Sequence, residues 1–530
     1  MSRRRGALPV VEVSALGLIA YLVSCGTSST NGAAPGSMGT GSTSTAGGSA
    51  TLDGGADAGA YAGVENSTTA CTVPDLPGYN ALAVDSSLPD PFMSLDGTRI
   101  TSTSQWTCRR AEIMAQAQLY ELGTKPPKPS MVSGSFAPIT NSDAGVNGAI
   151  TVNVSEGGSS TSFTSTVTYP TTGTPPYPAM IGIDGIEIGP AELQALGVAL
   201  ITFPASTVAQ QDDTSSRGLG SFYDIYGSDA SAGAMMAWAW GVSRLIDVIE
   251  QTPSAQIDPA RLGVTGCSRD GKGSLIVGAF DERIALTIPQ ESGSGGAASW
   301  RISDYQLANG TVVQTLSEIV TENVWFESSF VQFANSSDKL PFDHHMIEGL
   351  VAPRALLVIE NTSQVWLGNY STFNNSMAAH LIWDGLGIPD HMGVSQNGDH
   401  AHCVWDGSQQ PEVTAYVQKF LVGGGTADTT VLKTDAATYC PESMTCTAYG
   451  FDQARWVNWT VPTLQGAPAY DMDAAVTGYY PDATLSEADA TTGTDGNADA
   501  PAEGPGAAEA AENDGFAAAS DAQETDAGAE

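Results

Sequence analysis

The sequence predicts an α/β fold in three layers, with helices on both faces of a mostly parallel central sheet. From about residue 176 onward, short apolar runs of strand character alternate with helix-patterned segments, as a series of βαβ units requires. At 261–280 a strand runs into a glycine-rich turn and then a helix, placing polar chemistry where such sheets gather function, at the carboxyl end of a strand. With 530 residues, 42% of them apolar, the chain can fill a core of that size.

The elements follow in order. GAITVNVSEGGSSTSFTSTVTYP (148–170) alternates polar and apolar residues over two runs and reads as an antiparallel hairpin. PYPAMIGID (176–184) and GVALITF (197–203) read as strands. GAMMAWAWGVSRLIDVIE (233–250) repeats its apolar residues at three and four and reads as a buried helix. RLGVTG (261–266) reads as a strand, and SRDGKGSLIVGAF (268–280) as a turn into a helix. RIALTIPQ (283–290), PRALLVIEN (353–361) and MGVSQNG (392–398) complete the strands. No internal repeat is visible.

Both ends depart from globular composition. Residues 1–25 join a basic start to an apolar run ending at small residues and a cysteine, the pattern of a lipoprotein-type signal with Cys25 lipidated. An ordinary cleaved signal or a short anchor are the other readings, and each exports the chain. Residues 26–70 are rich in Gly, Ser, Thr and Ala and read as a flexible linker. The folded domain is expected over 71–465. Residues 466–530 contain fifteen Asp and Glu with no Lys, Arg or His, too little apolar surface to offset ordering entropy, and read as a disordered acidic tail. Those fifteen are part of a net charge of −38, leaving −23 on the rest, which disfavours nucleic-acid binding and leaves any anionic substrate dependent on local cations.

Of seven cysteines, six remain once Cys25 is set aside, an even number that in an exported chain reads as disulfides. Cys440 and Cys446 are close enough to close a small loop. Cys71 is expected to pair with Cys108 near the start of the domain, which would leave Cys267 for Cys403.

Ser268, in VTGCSRDGKGS (264–274), stands where a strand turns into a helix. The nucleophile turn of an α/β-hydrolase places Gly two residues before the serine and usually two after. Gly266 fits, but Asp270 takes the second place and Gly271 follows it. A helix N-cap therefore stands beside a nucleophile as a reading of Ser268. A serine nucleophile needs a base, and all six histidines lie later in the chain, the Ser-then-His order of this fold. His400 and His402, in SQNGDHAHCVW, follow the last strand, where a catalytic histidine belongs. A metal site, with His344 and His345, is the competing reading of that pair.

Taken in order, GCSRDGKG, TIPQESGSGGAASWRISD, TENVWF, DHH, VWLG and GDHAHC resemble the motifs of the glucuronoyl esterases of carbohydrate esterase family 15, over roughly residues 70–465. The resemblance implies an α/β-hydrolase that cleaves esters between lignin alcohols and the 4-O-methyl-glucuronic acid of xylan. It makes Ser268 the nucleophile, His402 the general base and Glu291, in PQESG, the triad acid. A helix-start or surface carboxylate is the alternative for Glu291. Some relatives place the acid after a later strand, but the matching loop here, NTSQVWLG (361–368), has no carboxylate, which leaves Glu360 and Asp399 as weaker candidates. Arg269 is implied beside the ester carbonyl as an oxyanion donor, against a surface ion pair with Asp270 or Glu291. Lys272, Gln314, Glu322 and Trp366 are implied to bind the sugar hydroxyls and ring; of the four, Trp366 is the one best suited to a partly core role.

Two departures from the family pattern stand out. Ser299 occupies a position where fungal members carry a disulfide cysteine, and Asp270 replaces the common Asn. The expectation is a monomeric, exported esterase of glucuronoxylan and lignin-carbohydrate esters, with no metal or organic cofactor and membrane contact only through the lipid anchor. Another carbohydrate esterase, such as an acetyl-xylan esterase, and an inactive carbohydrate-binding protein are the alternatives.

Overall fold

The computed structural model describes residues 64–139, 145–443 and 445–466. The expected signal ending at Cys25, linker residues 26–63 and tail residues 467–530 lie outside the described residues.

The strands of the main sheet are β1 (Met131–Pro138), β2 (Gly148–Glu156), β3 (Ser159–Thr168), β4 (Tyr177–Ile183), β5 (Ala199–Phe203), β6 (Ile257–Cys267), β7 (Ile284–Gln290), β8 (Ala355–Glu360), β9 (Met392–Gln396) and β10 (Leu432–Thr434). Among the described residues they form one ten-stranded sheet in the order β1-β2-β3-β5-β4-β6-β7-β8-β9-β10. The pairs β1–β2, β2–β3 and β3–β5 are antiparallel, and every pair from β5 to β10 is parallel. The chain enters the parallel part at β4, steps to β5 on one side and then crosses to β6 on the other. Winding thus reverses at β4, next to the strand that leads to Ser268, the position where such sheets open a crevice. This is the three-layer α/β-hydrolase architecture.

Strand alternation builds the layers. Leu356 and Val358 of β8 face one core, while Leu357 and Ile359 face the other, and all four are essentially inaccessible. The first core contains α1 (Ala234–Gln251), in which Trp238 and Trp240 are fully buried. The second core packs Tyr416, Phe420 and Leu421 against β4, β7 and β8.

Three differences from the sequence expectation have physical reasons. β1 was not anticipated, because MVSGSFAP carries Gly and Pro and is mostly exposed; its order comes from eight backbone pairings with β2. β10 is three residues, two of them exposed, paired to β9 and has no pattern to read. The linker expected to run to residue 70 gives way earlier, since residues 64–70 pack on the domain. Glu65 pairs with Lys125 at 2.7 Å and with the wholly buried Arg244, a cation that needs such a partner. Ser67 donates its N–H to Glu282 at 3.0 Å.

Among the described residues three disulfides join Cys71 to Cys108, Cys267 to Cys403 and Cys440 to Cys446. Ser299 caps the helix Trp300–Ala308, accepting from the Ile302 N–H, and donates its hydroxyl to Asp343 at 2.9 Å. A hydrogen bond to a buried carboxylate thus stands where fungal relatives are expected to place a bridge.

Candidate active site

β6 ends at Cys267, and α2 (Arg269–Phe280) begins one residue after Ser268. Ser268 holds the N-cap position, yet its side chain makes no capping bond. Its φ is +60°, a left-handed conformation costly for a residue with a Cβ. The turn is held by the Ser268 N–H donating to the Gln290 carbonyl at 3.0 Å and the Lys272 N–H donating to the Ser268 carbonyl at 3.0 Å. Two glycines make the turn this tight. A Cβ on Gly266 would lie 2.5 Å from the Asp270 carbonyl oxygen, and one on Gly271 would lie 2.5 Å from the Gln290 carbonyl oxygen. The second glycine of this elbow therefore belongs at 271, leaving position 270 free to carry Asp.

The left-handed backbone is concentrated here. Of the six described non-glycine residues with positive φ, Ser268, Glu291, Asp399 and Cys403 belong to this turn or to the two loops facing it. Such clusters occur where a structure holds functional groups in place.

Glu291 follows β7 and is fully buried. Its Oε2 accepts from His402 Nδ1 at 2.8 Å, from the Cys403 N–H at 3.2 Å and from Asn361 Nδ2 at 3.4 Å; its Oε1 accepts from Gln290 Nε2 at 3.3 Å. A buried carboxylate needs such a full set of donors. With Nδ1 donating to Glu291, the His402 ring presents Nε2 as an acceptor, and Nε2 has no partner among the described residues. No hydrogen bond joins Ser268 Oγ to His402 in this structure; such contacts are commonly loose without substrate. The Cys267–Cys403 bridge holds the two loops together, its Cα atoms 5.7 Å apart.

The competing acids are placed elsewhere. Glu360 is buried at the end of β8 and accepts from Thr372 Oγ1 at 3.1 Å. Burial, and after it the Glu291 charge, pushes its carboxyl up to about 8. Asp399 is exposed, its N–H donating to Ser363. Neither touches His402. The other histidines are engaged too: His344 Nε2 meets Glu121 at 2.9 Å and His345 Nε2 meets the Pro89 carbonyl at 2.8 Å. Cys267, His402 and Cys403 are close enough to hold a metal, but the two sulfurs are bonded to each other and are not free thiolates.

Arg269 makes an ion pair with neither Asp270 nor Glu291. Its guanidinium lies over the Trp325 ring, 5.3 Å from the centroid, and Lys272 Nζ lies 5.7 Å from the same ring. Burial pushes Lys272 down to about 8, against the pull of Glu322 and Glu360. Gln314 donates from Nε2 to Glu322 at 2.8 Å, and its N–H donates to the Trp366 carbonyl at 2.8 Å. Trp366, assigned the core-leaning role by sequence, is 42% exposed and sets its ring edge-on to His402 at 5.2 Å. The structure brings Glu291 and Trp366 onto His402, pairs Gln314 with Glu322, and sets Arg269 and Lys272 on one ring, Trp325. Sequence reading missed Asn361, Gln211 and Trp325. Trp325 lies within the quoted TENVWF motif, but its position under two cations has no signal in spacing.

The fold and this cluster define an α/β-hydrolase with a buried carboxylate–imidazole pair at a strained serine turn. Residues 152–387 match the family model described as glucuronyl esterase of fungi. The chain is 46% identical over 389 residues to the 4-O-methyl-glucuronoyl methylesterase of Hypocrea jecorina, covering 73% of this chain and 78% of that one. It therefore belongs to the glucuronoyl esterase family. The solved catalytic domain from Hypocrea jecorina superposes with a TM-score of 0.67 at 46% identity, over 74% of this chain and all of that one. A serine-to-alanine variant from Sporotrichum thermophile, solved with methyl 4-O-methyl-β-D-glucopyranuronate, gives 0.66 at 42% identity over the same shares.

Proposed function

We propose that this protein is a serine esterase that hydrolyses the ester between the 4-O-methyl-D-glucuronic acid of glucuronoxylan and lignin alcohols. The observation that carries the reading is the 2.8 Å bond between Glu291 and His402, with Cys403, next to His402, bridged by disulfide to Cys267, next to Ser268. In this reading Ser268 Oγ bonds to the ester carbonyl carbon while its proton passes to His402 Nε2. Glu291 fixes the imidazole and stabilises its charged form. Arg269 meets the oxyanion, and His402 then returns the proton to the leaving alcohol. Water, activated by the same imidazole, cleaves the acyl-enzyme and releases free glucuronate.

Lys272, Gln314 and Glu322 supply donors and acceptors suited to sugar hydroxyls, and the exposed face of Trp366 suits a pyranose ring. The relative solved with a methyl glucuronate ester supports this substrate class. The three disulfides support work outside the reducing cytosol. Export as a monomer anchored through a lipid on Cys25 is part of the same proposal and rests on the sequence alone. Among the described residues no helix is long and apolar enough to cross a membrane.

Turnover of benzyl glucuronate against acetylated xylan tests the substrate. The proposal expects ester cleavage on the glucuronate with little acetate release. Faster release of acetate assigns the same site to another carbohydrate ester and overturns the reading.

A further inference from the structure

Arg269 and Lys272 share the face of the Trp325 ring, a ring packed in the core whose indole N–H is held by a single amide; Lys272 Nζ also donates to the Ser292 carbonyl at 2.5 Å. Trp325 is 2% exposed and Gln211 6% exposed. The indole Nε1–H donates to Gln211 Oε1 at 2.7 Å, and Gln211 Nε2 donates to Asp270 Oδ1 at 3.3 Å. The Gln211 carbonyl is itself held by Asn323 Nδ2 at 2.7 Å. An indole N–H can only donate, so the amide oxygen must face Trp325 and the amide nitrogen must face Asp270. Asp270 sits one residue after Arg269 and two before Lys272 on the same helix. The chain Asp270–Gln211–Trp325 therefore leaves α2 beside both cations and returns to it through the ring beneath them.

We propose that Gln211 is a positioning residue: its amide bridges Asp270 to Trp325 and so fixes the indole against the two cations that act on the ester carbonyl and the sugar. This rests on the function proposed above. The loop after β5 would thus set the geometry of the reacting site without touching substrate.

The surroundings make the direction of that bridge consequential. Asp184 and Glu187, from the loop after β4, and Arg269 are the charged groups that face Asp270. Burial, and after it Asp184, pushes its carboxyl up to about 7. Above neutral pH a second acid at position 211 would repel it, whereas the native amide donates to it in either state.

Gln211→Glu keeps an acceptor for the indole but removes the donor to Asp270. Adding Asp270→Asn supplies that donor from the other side and restores a complementary pair. With benzyl glucuronate at pH 8, Gln211→Glu is expected to lower kcat/KM about tenfold, with KM raised and kcat lowered because the ring under both cations is no longer fixed by its hydrogen bond. The double variant is expected to recover most of that loss, and the deficit of the single variant is expected to shrink at pH 6. Trp325→Phe, which keeps an aromatic face but removes the N–H, is expected to show the same split between KM and kcat. The proposal is overturned if Gln211→Glu matches wild type at pH 8, if the double variant is no better than the single one, or if Trp325→Phe leaves both constants unchanged. A wild type that cleaves no glucuronate ester overturns the function proposed above, and this inference with it.

Discussion

Cys267 and Cys403 are bonded to one another, so the residue before Ser268 and the residue after His402 are fastened across 136 positions of sequence. Closing a loop of that length restricts the unfolded chain by about 5 kcal/mol in the chain-entropy model. The same bond fixes the approach of the imidazole to the serine. Replacing both cysteines with alanine is expected to lower stability by about 2–5 kcal/mol. It should also lower kcat in the protein that remains folded. Thermal melting and single-turnover kinetics check the two effects separately; a loss of stability with kcat unchanged would reduce the bridge to a staple.

Glu291 and Glu360 are both buried, yet only Glu291 meets His402. Glu291→Ala is expected to lower kcat by about a thousand- to ten-thousandfold, as loss of the orienting carboxylate does in other triads. Glu360→Gln is expected to leave kcat nearly unchanged and to change stability instead. The folded carboxyl titrates near 8, above its unfolded value, so the native state binds the extra proton and stability falls as pH rises toward 8. The gain in Tm from Glu360→Gln should therefore grow from pH 5 to pH 8 and then level off.

Lys272 carries a charge that burial has weakened, with the folded ammonium titrating at about 8 instead of above 10. A depressed cation is lost as pH rises through its folded value, which relieves its burial cost but removes the donor proposed for the sugar. KM for a glucuronate ester is therefore expected to rise above pH 8, with kcat less affected. Initial-rate measurements from pH 6 to pH 9 check this, and Lys272→Met should flatten the KM profile at a high value.

Gly271 tests the shape of the serine elbow. Its Cβ would meet the Gln290 carbonyl oxygen at 2.5 Å, a backbone atom at the end of the strand that leads to Glu291. Gly271→Ala is expected to destabilise the protein by about 1–3 kcal/mol through overpacking and to lower kcat by shifting Ser268. Asp270→Gly, which restores the usual spacing, should not rescue it.

How much of this was legible depends on whether the signal was local. β4, β6, β7 and β8 carry mostly apolar runs bounded by turns, because both their faces are largely covered, and all of β4 to β9 lie within a few residues of where the sequence puts them. β1 and β10 were invisible because pairing, not side-chain burial, orders them. The linker boundary moved because a carboxylate, Glu65, answers Arg244 some 180 positions away, a distance at which composition says nothing. At the site, Ser268, Glu291 and His402 were readable through motif order and resemblance, while neither source gave Trp325 or Gln211 a role. Their places follow from a ring, an amide and a carboxylate meeting from three separate segments, and no period or spacing encodes that.

The central claim is that Ser268 carries out ester hydrolysis on a glucuronate. The most direct measurement is kcat/KM on benzyl glucuronate for wild type and Ser268→Ala, with binding of a glucuronoxylan oligosaccharide followed in parallel. Turnover is expected of the wild type, with a loss of at least about a thousandfold in the variant and equal binding by both. Equal hydrolysis by both proteins, or binding by both with no hydrolysis by either, would contradict that claim.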